Sequence, residues 1–261
     1  MPRIALLTHA LIALLIFTST AAATSSALIV GMELSYPPFE MTDARGEPSG
    51  ISVEMARAIG EILGREVIIE NIPFDGLIPA LRTGKIHMIL SSMTATQERA
   101  RVVDFSEPYL STGLCLLLNR ASEVTSIDEL NRPGVVIAVK RGTTGHAYAS
   151  RHLSQARILV LDKEAAAVLE LVQGKIDAFI YDQMSVYSHW QRNRETTRAI
   201  LEPFQREYWA VGLPKGSEDL RLQINDALDR LRGEGFFERL GDKYLGEQKR
   251  AFKELGYGFY Y

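Results

Sequence analysis

The stretch LRTGKIHMIL at positions 81–90 returns at 171–180 as LVQGKIDAFI. Each copy reads as the end of a helix, a glycine that stops it, a lysine, and a buried strand. Glycine adopts left-handed backbone without a Cβ clash, which suits Gly84 and Gly174 to the residue just past a helix. Helix–glycine–strand junctions are common in α/β proteins, so chance is the competing reading of the echo. Taken as a true repeat, it predicts two lobes of similar build.

The flanking sequence supports that pattern. Before the first copy, 28–32 (LIVGM) and 66–70 (EVIIE) read as strands. Between them 52–63 carries Met55, Ile59, Ile62 and Leu63 on one helical face. Asp75 is placed to cap a helix running through Leu81. In the second half 135–139 (VVIAV), 158–161 (ILVL) and 176–181 (IDAFIY) read as strands, with an Ala-rich helix over 163–172. Strands alternating with helices predict an α/β fold with mostly parallel sheets flanked by helices. STGLCLLLNR (111–120) and REYWAVGLPK (206–215) read as two segments crossing between the lobes. Lobe one is then expected over 28–115 plus 211–261, and lobe two over 116–210. Two crossings make a hinge suited to cleft closure.

The 261 residues are 46% hydrophobic and 23% charged, with a formal net charge of -3, which is ordinary for a globular chain. No Lys/Arg block points to nucleic acid. Arg3, the apolar run 4–17 and the small residues up to Ala23 read as a secretory signal peptide over 1–23, with Ala21 and Ala23 in the A-x-A positions. A periplasmic, soluble mature protein is therefore expected. No cysteine follows the apolar run, so no lipid anchor is expected. The single cysteine, Cys115, sits in LCLLL and reads as a buried, inert thiol.

Chemistry is expected at strand ends, where open α/β sheets bind ligands. SSMTATQER (91–99) offers hydroxyls at Ser91, Ser92 and Thr94. It also offers Arg99, whose planar fork matches a carboxylate with two parallel bonds. The bland alternative is a loop in which Thr96 caps a helix and Arg99 is solvated. KRGTTG (140–145) leaves the amides of Thr143 and Thr144 free to face an anion. Tyr181-Asp182 ends a strand, so Asp182 either meets an ammonium group or caps a helix over 183–190. Tyr36 and Phe74 are aromatics placed to stack on a ligand, whereas Phe39 reads as core. The five histidines show no metal spacing, and no nucleotide, zinc or nucleophile-elbow motif occurs. No cofactor, metal or catalytic site is expected.

Taken in order, YPPFE (36–40), FDGLIPALRTGKI (74–86), SSMTATQER, VVDFSEPY (102–109), KRGTTG, GKIDAFIYD (174–182) and AVGLPKGSEDL (210–220) resemble family 3 of the bacterial extracellular solute-binding proteins, the polar amino-acid binders. The resemblance spans nearly the whole mature chain. It implies a two-lobed periplasmic-binding-protein fold, monomeric, that closes on a free amino acid and feeds the membrane permease of an ABC importer. It implies that Arg99 clamps the ligand α-carboxylate, with amides of Thr94 and Thr144. Asp182 takes the α-ammonium, with Ser92 and Thr94 assisting. Tyr36 and Phe74 match the aromatics that sandwich the side chain, and Glu33 and Lys140 match positions that read its polar end. Glutamine-like ligands rank first if Lys140 points into the cleft, and arginine, lysine or histidine first if it points to solvent. His87 departs from the Asp the family often has there, at a position read as structural. Two rivals are a cyclohexadienyl dehydratase of the same fold and a sensor input module. The dehydratase needs a general acid. QMSVY after Asp182 offers none, and Glu33 is the only spare acid the sequence places near the cleft.

Overall fold

The computed structural model describes residues 27–257. The expected signal peptide and the last four residues, 258–261, lie outside them. The described chain builds two five-stranded sheets of identical plan. In the first, Leu28–Met32 sits between Val67–Asn71 and Met88–Ile89, parallel to both. In the second, Val136–Lys140 sits in the same way between Arg157–Leu161 and Ala178–Asp182. Helices Ile51–Ile62 and Leu77–Arg82 connect the first trio, and Thr144–His152 and Glu164–Val172 the second. Each sheet is completed by two antiparallel pairings, so both are mixed. Gly212–Pro214 joins Met88–Ile89 to Val103–Phe105. Leu110–Asn119 joins Ala178–Asp182 to Thr197–Trp209. A smaller sheet of Ser35–Tyr36, Glu40–Thr42 and Pro48–Ser49 follows the first strand.

The echo that opens the sequence reading is the same device built twice. Gly84 and Gly174 have φ of 75° and 70° just past their helices. Lys85 N donates to Ala80 O, and Lys175 N to Glu170 O, both at 3.0 Å. The strands then dock through the residue just before each. His87 Nδ1 accepts from Ile29 N at 3.1 Å, and Asp177 Oδ2 accepts from Val136 N at 2.7 Å. His87 thus does with a ring nitrogen what Asp177 does with a carboxylate, which confirms the structural reading of the departure. Asp75 does not cap as expected. Phe74–Gly76 is a turn of 3-10 helix, and the helix after it has no side-chain cap bond.

The chain changes sheet twice. It leaves the first sheet after Phe105 and enters the second at Leu110. Position 115, the expected boundary, lies inside a strand that pairs in the second sheet along its whole length. The return runs from Trp209, in the second sheet, to Gly212, in the first. The last helix, Phe236–Glu254, also departs from a simple assignment to the first lobe. It kinks at Leu245, and beyond the kink Phe252 packs on Tyr187 of the second lobe, with ring centroids 5.0 Å apart. Among the described residues no helix is long and apolar enough to cross a membrane.

Candidate functional site

A cleft lies between the two sheets, at the strand ends. One wall is 91–99. Thr94 forms an antiparallel bridge with Trp209, flanked by Ala95 N→Tyr208 O at 2.9 Å and Ala210 N→Met93 O at 3.1 Å. Those bonds belong to the neighbours, so the amide and carbonyl of Thr94 face away from the bridge. The carbonyl is met there by Arg99 Nη1 at 2.8 Å. Arg99 Nη2 reaches across to Gly142 O on the other wall, at 3.0 Å. Desolvation lowers the Arg99 pKa to about 10, so it is charged at neutral pH. Thr96 Oγ1 accepts from Arg99 N at 3.2 Å but is not the N-cap expected, a position that Glu98 holds without a side-chain cap bond, and Arg99 turns into the cleft.

The opposite wall is KRGTTG. Gly142, at φ 76°, lets the backbone pass so close to Asp75 that a Cβ would sit 2.9 Å from the aspartate Cβ. Thr143 is the N-cap of helix Thr144–His152 and accepts from His146 N. Its own amide closes a turn on Lys140 O at 3.3 Å, so the expectation of a free Thr143 amide fails. Thr144 opens the helix, where first-turn amides lack an intrahelical acceptor. Asp182 lies on the same wall, and its capping reading holds. It caps helix Gln183–Arg192 through Met184 N and Ser185 N, and it lines the cleft. Both capping bonds and the Tyr36 hydroxyl, at 2.7 Å, fall on Oδ1. The second carboxylate oxygen therefore remains for another donor. Burial pushes the Asp182 pKa up to about 7, with Glu164 adding to the effect.

Carboxyl groups are more numerous here than the sequence reading allowed. Glu33 pairs with Lys140 across the cleft, and Lys140 is 3% exposed. Glu40 is 1% exposed and receives Ser52 Oγ at 2.6 Å, Ser92 Oγ at 3.1 Å and Ser91 Oγ at 3.3 Å. Desolvation raises its pKa to about 8. Glu207, also buried, receives Thr94 Oγ1 at 3.0 Å, and burial raises its pKa too. Glu33 is therefore not the only spare acid. Aromatic rings complete the site. Tyr36 stacks on Phe39 at 5.3 Å and meets Tyr181 and Trp209 edge-on. Phe39 is core, as expected, at 1% exposure. Phe74 lies under Arg99 and Lys140, at 5.5 and 5.6 Å from its centroid.

Two walls, an arginine fork on one and a half-used carboxylate on the other describe a cleft for a small solute. The sequence profile of the bacterial extracellular solute-binding proteins, family 3, matches residues 28–247. The chain belongs to that family. Its relatives include an L-cystine-binding protein of Escherichia coli, 28% identical over 84% of this chain and 82% of the relative. An L-arginine-binding protein of Pseudomonas aeruginosa is 31% identical over 83% of this chain and 86% of the relative. Among solved structures, an ancestral amino acid-binding protein described as a precursor of cyclohexadienyl dehydratase has a TM-score of 0.77. It is 32% identical and covers 84% of this chain and 95% of its own. The two-lobed periplasmic-binding-protein fold expected from the sequence is thus the fold of this family member.

The structure gathers all eleven of the residues singled out in the sequence around the one cleft: Glu33, Tyr36, Phe74, Ser91, Ser92, Thr94, Arg99, Lys140, Thr143, Thr144 and Asp182. Ser91 is the most deeply placed, at 1% exposure, holding Glu33 N at 2.9 Å and Glu40. The reading missed Glu40, Glu207, Trp209, Tyr181, Leu114 and Gly145, which line the same space. Trp209 and Glu207 sit on a crossing strand, read only as a connection. Glu40 was quoted within YPPFE without a role. Among the described residues no cluster of metal-ligating side chains occurs.

Proposed function

We propose that this solute-binding protein closes its lobes on a free polar α-amino acid in the periplasm and passes it, as a monomer, to the permease of an ABC importer. The observation that carries the proposal is the division of Arg99 and Asp182 between the two walls of one cleft. An amino-acid zwitterion brings one carboxylate and one ammonium. It satisfies both walls only when they come together, and burial requires that pairing. The ligand then shifts the population toward closure because it binds the closed form better.

Glutamine-like side chains are the first choice, and arginine, lysine or histidine the second. The reason is Lys140, which turns into the cleft and occupies Glu33. A cationic side chain competes with Lys140 for that carboxylate. An amide accepts from the lysine and donates to the glutamate. A thermal-shift scan of residues 24–261, stripped of ligand by unfolding and refolding, against the twenty amino acids tests the proposal. One polar amino acid at ~100 times its Kd adds about 2.7 kcal/mol and moves the midpoint by several degrees. No shift with any of them defeats it.

Binding without catalysis is our reading, and a cyclohexadienyl dehydratase is its rival. Glu40, Asp182 and Glu207 are buried carboxyls with raised pKa values, and a general acid for a dehydratase is what such groups supply. Incubation with prephenate or arogenate decides between the two. Turnover to an aromatic product refutes the binding-only reading.

A further inference from the structure

Glu40 borders the cleft, yet its bonds run into the protein around it. It is 1% exposed and opens the strand Glu40–Thr42 of the smaller sheet. Its Oε2 receives Ser52 Oγ, from helix Ile51–Ile62, at 2.6 Å and Ser92 Oγ at 3.1 Å. Its Oε1 meets Ser91 Oγ at 3.3 Å, and Ser91 Oγ accepts from Glu33 N at 2.9 Å. One carboxyl thus joins the smaller sheet, the first helix and the segments that leave two paired strands, Leu28–Met32 and Met88–Ile89. Ser92 sits there at φ 49°, backbone that a glycine takes without cost. The fold alone therefore gives no reason for a serine at 92.

A hydroxyl has one proton to give and two lone pairs. Oε2 already accepts from two hydroxyls, so a proton taken up by Glu40 goes to Oε1, against Ser91. In either state Oε2 accepts, and the Ser92 proton is committed to it. Ser92 lines the cleft, so what it offers a solute is lone pairs. We propose that Glu40 is a positioning residue of the site: by holding the Ser92 proton it makes that hydroxyl an acceptor, which takes the ligand ammonium together with the second oxygen of Asp182 on the opposite wall. This rests on the amino-acid reading of the cleft and adds to it the residue that sets which way the Ser92 hydroxyl points.

Calorimetric titration of the mature, ligand-stripped protein with L-glutamine and L-arginine, with a thermal melt of each variant, tests it. Ser92→Gly suits the left-handed backbone, so its melting temperature holds or rises while affinity for whichever of the two binds falls roughly tenfold. Glu40→Ala brings a similar loss, and Glu40→Gln, whose carbonyl oxygen still accepts from Ser92, recovers most of it. Because Ser92 acts through Glu40, Ser92→Gly costs less than about threefold when added to Glu40→Ala. A residue that only braces the fold lowers the melting temperature and leaves the Ser92 cost in full. Affinity unchanged within about twofold in Ser92→Gly or Glu40→Ala, or a Ser92 cost equal in both backgrounds, overturns the inference alone. If Glu40→Ala does not fold, the other two variants decide: Glu40→Gln that binds no better than Ser92→Gly overturns it. A wild type that binds neither these two nor any other amino acid overturns it together with the proposed function.

Discussion

Glu40 and Asp182 show how a buried carboxyl in this cleft couples to pH. Desolvation raises both, to about 8 and about 7 from ordinary values of 4.5 and 3.8. A carboxyl whose pKa is raised in the folded state holds a proton that the unfolded chain has released. Its stabilising share is complete below the unfolded value and is lost as pH rises through the folded one. The melting temperature of the ligand-free protein should therefore fall between about pH 5 and pH 8, and Glu40→Gln should flatten part of that slope. A melting temperature that climbs over the same range contradicts the assignment. Lys140 carries the specificity prediction at this scale. Lys140→Met leaves Glu33 in the cleft without its partner, so the variant should lose affinity for glutamine and gain it for arginine or lysine, read by titration. Ser92 is a further residue-scale feature. At φ 49° it holds a left-handed conformation that costs a non-glycine residue energy. Its hydroxyl bond to Glu40 helps hold it there.

At the scale of elements, the twin helix–glycine–strand junctions predict a matched pair of variants. A Cβ at Gly84 meets nothing within 4 Å, and one at Gly174 meets only the end of Asn119. The cost of alanine at either is then backbone strain, about 1 kcal/mol, seen as a small drop in denaturant midpoint. A neutral result at both removes the left-handed stop from the account. Cys115 gives a second element-scale prediction. It is fully buried in strand Leu110–Asn119, its Sγ meets Leu201 O at 3.3 Å, and burial holds its thiol well above the usual range. A thiol reagent should leave the native protein unmodified and react at once in denaturant. These elements were legible in sequence because their rules are local: glycine stops, apolar periodicity, hydroxyls after a strand. The strand Thr197–Trp209 was legible only at its end, since TRAILEPFQREYW has neither regular polar/apolar alternation nor a continuous apolar run and its role comes from pairing with a distant segment. Glu207 and Trp209 were missed for that reason. The Thr143 amide was misread because its turn closes on Lys140, a bond that no composition rule announces.

At the scale of the molecule, closure rests on contacts of unequal worth. Glu98 and Arg151 pair across the cleft mouth with both side chains more than half exposed. Exposed pairs contribute about 0–1 kcal/mol, so Glu98→Gln should change ligand affinity by no more than about fivefold, less at high salt. The inner contacts, Tyr36 to Asp182 and Lys140 to Glu33, are buried and should dominate. The last helix adds a link that the reading of two lobes joined by two crossings did not include. Phe252→Ala removes a 1%-exposed ring from its seat on Tyr187 and should destabilise the fold by about 3–5 kcal/mol.

The central claim is that one zwitterion bridges the two walls through Arg99 and Asp182. Calorimetric titration of L-glutamine, and then of the other polar amino acids, into the ligand-stripped mature protein tests it most directly. The account predicts one site per chain for at least one of them, near 1 μM or tighter, and a loss of at least a hundredfold in both Arg99→Ala and Asp182→Ala. Binding that survives either substitution at full strength, or no heat with any amino acid, contradicts it.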